Sequence, residues 1–177
     1  MSLQFKIQLT GITNPPITRE VVVNEKVTFQ WFHEIIQVCM GWENYHMYEF
    51  LPVGNLKKGL KLNYKSSKAK LSDYFNEVGD KITYIYDFGD DWNHEITLKK
   101  IWSDPIDHPK VIAGEGKCPP EDCGGVWGYM DLIEKLDGSK DEDLEDRREW
   151  LGLDDGETWD VNEVDMEEVQ MKLQKMG

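Results

Sequence analysis

Asp87, Asp90, Asp91 and His94 fall within eight residues, on either side of Gly89, in the stretch YIYDFGDDWNHEI from Tyr84 to Ile96. If that stretch is a hairpin, several of these side chains can converge on one point. Carboxylates with one imidazole suit Mg²⁺ or Mn²⁺, or a hydrolytic Zn²⁺ that keeps an open coordination position. A tight turn explains the same residues, because Gly and Asp are favoured there for backbone geometry alone. Both readings stand at this level. Glu121 and Asp122 precede Gly124 and Gly125, where a helix start favours negative charge. Folded against the hairpin, they would join a carboxylate cluster able to position a water for general base work. With Tyr86 and Trp92 beside the turn, the candidate functional surface is Tyr86, Asp87, Asp90, Asp91, Trp92, His94, Glu121 and Asp122, and the candidate metal ligands are Asp87, Asp90, Asp91 and His94. Tyr86, Phe88 and Trp92 are expected to be partly buried.

The remaining chemistry-bearing residues form less complete sets. Cys118 and Cys123 make a C-x4-C pair with no second pair, so a zinc site would need His94 or His108 to reach them. His33 and His46 flank a predicted helix and its exit strand and read as hydrogen-bonded core or interface residues. No Gly-rich phosphate loop, nucleophile elbow or metalloprotease helix motif is present.

The charge of −14 is unevenly spread. Asp137 to Glu168 holds 15 acids against Lys140, Arg147 and Arg148, whereas Lys57 to Lys70 holds six lysines and no acid. This balance makes direct duplex DNA binding an unfavourable expectation, since that affinity rests on neutralising phosphates. The three cysteines leave an odd thiol in any disulfide scheme, which suits a reducing compartment, and nothing near Met1 reads as a secretion signal. No apolar run approaches a bilayer span. Cytoplasm is the expected location, and a single domain over residues 1–177 the expected organisation.

The elements that would carry these residues can be read from pattern. Phe5, Ile7 and Leu9 alternate with Lys6, Gln8 and Thr10, a half-buried strand ended by Asn14-Pro15-Pro16, and Ile17 to Val23 returns as its hairpin partner. Thr28 is a helix cap for Phe29 to Met40, with an apolar stripe of Phe29, Phe32, Ile36 and Cys39 or Met40 and a stop at Gly41. Tyr45 to Leu51 reads as strand, followed by a lysine-rich hairpin around Gly59. Ile82 to Phe88 and Trp92 to Trp102 then read as a second hairpin. Ser103 to Gly124 reads as a long loop, and Gly125 to Leu136, Asp143 to Leu151 and Val164 to Met176 as helices, the last capped by Asn162. The result is an α+β fold with a mixed or antiparallel sheet that opens ββαββ, as a β-grasp does, and with helices concentrated in the C-terminal third.

Three blocks carry a resemblance: TFQWFHEIIQVCMGWENYHMYEF from Thr28 to Phe50, YIYDFGDDWNHEI from Tyr84 to Ile96, and CPPEDCGGVWGY from Cys118 to Tyr129. Together they resemble the plasmid pRiA4b ORF-3-like family, and the match spans nearly the whole chain. The resemblance implies an association with mobile elements and transfers no activity. The leading expectation is a non-enzymatic module that binds a protein partner through the hairpin and the Cys118 to Tyr129 loop. The alternative is a metal-dependent hydrolase or nuclease accessory using Asp87, Asp90, Asp91, His94 and Glu121 with Mg²⁺, Mn²⁺ or Zn²⁺. Direct nucleic-acid binding through Lys57 to Lys70 ranks last. Exposed aromatics near the first helix would suit a homodimer.

Overall fold

The computed structural model describes residues 1–53, 62–63, 68–137 and 143–176. The lysine-rich hairpin expected around Gly59, and most of the Lys57 to Lys70 strip, lie outside them. The chain runs β1 (Ser2–Thr13), β2 (Pro16–Asn24), α1 (Phe29–Met40), β3 (Tyr48–Pro52), β4 (Leu62–Asn63), a 3-10 turn (Leu71–Asp73), β5 (Lys81–Tyr86), β6 (Trp92–Trp102), β7 (Lys110–Glu115), α2 (Gly125–Asp137), α3 (Leu144–Trp150) and α4 (Met166–Lys175). The fold is α+β and opens ββαββ. One seven-stranded sheet has the order β4-β3-β5-β6-β1-β2-β7, and every neighbouring pair is antiparallel. The central β1–β6 pair therefore differs from a β-grasp, in which the first strand runs parallel to its inner neighbour.

Period-two alternation builds the sheet's inner face. Leu3, Phe5, Ile7 and Leu9 of β1 are buried, as are Ile82, Tyr84 and Tyr86 of β5 and Trp92, Ile96 and Leu98 of β6. Register places Phe50, Tyr84, His94 and Leu9 in one row across four strands, and Tyr48, Tyr86 and Trp92 in the next. Helix α1 covers this face. The Thr28 side chain accepts from Trp31 N, Gly41 closes the helix at φ 81°, and the predicted stripe of Phe29, Phe32, Ile36, Cys39 and Met40 is buried. Phe29 and Phe32 meet Phe50 edge-on and stacked, respectively. Burying each such side chain contributes about 1.5–3 kcal/mol before entropy is counted. Arg19 of β2 is buried among them, its guanidinium donating to the carbonyls of Cys39, Thr18, Glu115 and Gly116. Burial lowers its pKa, and the carbonyls at the end of α1 and around β7 take the place of a carboxylate partner.

Four expectations need correction. Residues 103–124 are not all loop, because Lys110–Glu115 forms edge strand β7 against β2. That strand is mostly exposed, so it lacks an alternating apolar pattern and is defined by pairing rather than by its own composition. Strand β3 begins at Tyr48, not Tyr45, because the preceding residues are drawn away to bond Tyr86 and Glu121. The cap of α4 is Asp165, whose Oδ1 accepts from Glu168 N at 2.8 Å, while Asn162 bonds Asp160 instead. Phe88 is exposed, whereas Tyr86 and Trp92 are fully buried. Phe88 stands in the turn, where its side chain leaves the sheet.

Candidate functional site

The site forms where three segments interlock: residues 42–47 between α1 and β3, the β5–β6 turn, and the loop from Pro119 into α2. Trp42 Nε1 donates to Pro119 O at 3.0 Å, and its ring stacks on Tyr86 with centroids 4.9 Å apart. Tyr86 donates its hydroxyl proton to Glu121 Oε1 and accepts from Tyr45 N at 3.1 Å. The second carboxylate oxygen of Glu121 accepts from Glu43 N at 2.8 Å. Glu121 thus joins the first segment to the second. Burial, and then the adjacent Glu121 carboxylate, push the Tyr86 phenol well up, so it acts as a donor.

The turn is held by its own acids. Asp87 N donates to Met47 O at 2.9 Å, Asp91 N to Asp87 O at 2.7 Å, and Gly89 N to Asp87 Oδ1 at 2.9 Å. Asp87 and Asp91 sit at φ 57° and 56°, and Asp122 at 59°, in the left-handed region that few L residues other than Asn and Asp occupy. Asp90 bridges to the third segment, its Oδ2 accepting from Gly124 N at 3.1 Å just ahead of α2. A Cβ on Gly125 would lie 2.4 Å from Asp90 O, so only glycine lets the loop approach the turn this closely.

His46 Nε2 lies 3.6 Å from Asp87 Oδ2 and 3.2 Å from Asp122 Oδ1. Among the described residues this is the one place where three such ligand atoms come within 4.8 Å of one another. The predicted set of Asp87, Asp90, Asp91 and His94 does not converge: the Asp90 side chain bonds Gly124 N, Asp91 joins the turn through its backbone, and His94 is buried in the core. Its Nδ1 meets Trp92 O at 3.0 Å and Tyr84 O at 3.3 Å, so Nδ1 carries the proton and Nε2 is bare. Burial lowers its pKa to about 4, against a smaller upward pull from those carbonyls. Among the described residues, His94 Nε2 and Trp92 Nε1 are buried without a hydrogen-bond partner, and nothing there accounts for either.

His33 is buried and ties α1 to β5 and to the loop that follows the helix. Its Nε2 donates to Asn44 Oδ1 at 2.7 Å and its Nδ1 accepts from the Tyr84 hydroxyl at 2.7 Å, while Gln37 Nε2 donates to that hydroxyl at 3.0 Å. Burial lowers its pKa to about 4. Cys118 and Cys123 are free thiols, raised by burial, Cys123 to about 12. Neither belongs to the His46 cluster, and neither meets His94 or His108 in a metal-ligand group among the described residues. His46 and Glu43 are the site residues that sequence spacing misses, because His46 lies about forty positions from the hairpin it meets and Glu43 lies 78 positions from Glu121.

The plasmid pRiA4b ORF-3-like protein family matches residues 1–168. The chain belongs to that family. It is similar to the uncharacterised protein y4hQ of Sinorhizobium fredii, at 32% identity over 163 residues, covering 86% of this chain and 82% of that protein. It is also similar to a crystal structure of a protein of unknown function, MM3350 from Methanosarcina mazei, with 36% identity and a TM-score of 0.80 over 94% of this chain and 96% of that one. Neither relative's description states an activity. No helix among the described residues is long and apolar enough to cross a membrane.

Proposed function

We propose that this chain is a non-enzymatic interaction module that engages a protein partner through the interlocked face built from residues 43–47, the β5–β6 turn and the start of α2. The observation that carries this reading is the exposure of large apolar side chains on those same three segments: Tyr45 at 74%, Met47 at 57%, Phe88 at 51% and Trp127 at 82%. Single exposed apolar residues are ordinary, but four on three segments hydrogen-bonded to one another concentrate apolar surface at this end of the fold. Aromatic residues and Met are the types enriched in protein interfaces, and Trp and Tyr most often anchor them. The turn and loop beneath are held by backbone bonds to Asp87, Asp90 and Glu121, so this surface is presented on a rigid support and little ordering entropy opposes binding. With a net charge of −14, duplex DNA is not the partner this reading favours.

The test is affinity capture with the wild-type chain and with Phe88→Ser plus Trp127→Ser, both residues being exposed enough to leave folding intact. A partner retained by the wild type, confirmed with purified components and weakened at least tenfold by the double variant, supports the reading. Equal binding of both chains to every confirmed partner refutes it. Retardation of random duplex DNA at physiological salt would favour the nucleic-acid alternative.

A further inference from the structure

We infer that His46, Asp87 and Asp122 form a binding site for a divalent cation of the Zn²⁺ or Mn²⁺ class, placed where the three segments of the candidate face converge. The three donors come from separate stretches of chain, each offering one ligand atom, and they are 3.2 and 3.6 Å apart across the histidine nitrogen. Ligands bound at roughly 2.0–2.2 Å in tetrahedral or octahedral arrangement stand roughly 3.0–3.6 Å from one another, the range of both histidine-to-carboxylate separations, and the two carboxylate oxygens lie within 4.8 Å of each other. His46 Nε2 is shut off from solvent and has no hydrogen-bond partner among the described residues, although two carboxylate oxygens lie beside it. A buried nitrogen that lies beside two carboxylate oxygens without a well-formed hydrogen bond to either is placed to share a cation with them.

The occupancy of the carboxylates points the same way. Asp87 Oδ1 is taken by Gly89 N, which leaves Oδ2 turned towards His46. The Asp122 side chain is 69% exposed, so the cluster opens to solvent on that side and leaves coordination positions for water. One imidazole with two carboxylates is a poor cage for Ca²⁺, which takes oxygen alone. It suits Zn²⁺ or Mn²⁺ held by three protein ligands with open positions. The competing arrangement is a bare ion pair between a protonated His46 and its two acids. This inference is independent of the protein-partner reading, since a cation can bind with or without a partner on the face.

Protein stripped with EDTA and exchanged into metal-free buffer is titrated separately with Zn²⁺, Mn²⁺ and Mg²⁺ by calorimetry and followed in thermal melts. One equivalent of Zn²⁺ or Mn²⁺ is expected to bind and to raise the melting temperature, because a ligand of the native state must stabilise it. Asp122→Asn, at an exposed position, is expected to keep the metal-free melting temperature while weakening binding by about tenfold or more, a loss of about 1.4 kcal/mol. His46→Gln is expected to do the same. Asp154→Asn with Asp155→Asn, in the acidic C-terminal segment, is expected to leave binding unchanged. The inference is overturned if neither Zn²⁺ nor Mn²⁺ shifts the melt at millimolar concentration. It is equally overturned if binding survives Asp122→Asn or is abolished by the Asp154 and Asp155 pair, either of which would mark it as nonspecific.

Discussion

Tyr84 and Tyr86 stand on the same face of β5, two residues apart, and end in the same phenol, yet their hydroxyls meet different surroundings. The Tyr84 hydroxyl is closed in by His33 and Gln37, both side chains of α1, and burial holds its pKa far above the ordinary value. The Tyr86 hydroxyl lies one row nearer the end of the sheet and bonds Glu121 and the backbone of Tyr45, at the margin where loops meet. The first network ties helix to sheet and reaches the surface only through Asn44 and Glu34. The second ties loops to sheet and stops beside His46, Asp87 and Asp122, where solvent begins. One residue type therefore does two jobs because successive rows of a sheet stand at different distances from its end.

The comparison can be broken most sharply through the ring beside Tyr86. Trp92 is opposite it in register and fully buried, so Trp92→Ala should cost about 3–5 kcal/mol in urea unfolding. A loss under about 1 kcal/mol would mean the margin is loosely packed and the two networks are not separately supported. Acid should act on the closed side. His33 and His94 have folded pKa values near 4, below the ordinary 6.5, so each contributes stability that is complete above pH 6.5 and lost as pH falls towards 4. For His94 the loss should approach about 3 kcal/mol. His94→Phe should flatten the pH 6.5 to 4 limb of the stability profile, and an unchanged limb would show that this imidazole does not stay neutral in the fold.

Smaller effects separate the two hydroxyls directly. Tyr84→Phe takes the hydroxyl partner from His33 Nδ1 and Gln37 Nε2, both buried, and should cost about 1–3 kcal/mol. Tyr86→Phe frees a carboxylate that water can reach, so its cost should be about 0.5–1.5 kcal/mol. If the order of the two were reversed in thermal melts, the margin and not the core would be the stiffer region. Least of all, Phe88→Ala should change stability by no more than about 0.5 kcal/mol, because its ring is exposed.

What the sequence disclosed follows from how local each signal is. Thr28, the apolar stripe of α1 and Gly41 lie within fourteen residues and mark a helix unaided. The β5–β6 hairpin is equally legible, since β-branched and aromatic residues flank a Gly-Asp-Asp turn. Strand β7 was not, because its residues are strand-like only when β2 offers an edge. The candidate site was half legible. Asp87, Asp90, Glu121 and Asp122 were visible as acids near a turn or a helix start, and the structure gives each a different partner. His46 was not, because a single histidine near a Gly-Trp turn carries no sign that Asp122 will fold back on it.

The far edge of the sheet shows another consequence of one side chain. Gln170 of α4 accepts from Val111 N at 3.0 Å through Oε1 and donates to Pro109 O at 3.3 Å through Nε2. Its amide thus meets two backbone groups that β7 would otherwise offer outward, much as a single peptide unit of a further strand would. An uncovered edge of this kind is a template on which other chains can assemble. Helix α4 therefore covers part of that edge as well as packing on the sheet. Gln170→Ala is expected to leave the fold intact while hastening the growth of light scattering during prolonged warm incubation, and an unaltered scattering rate would show that the edge is protected by other means.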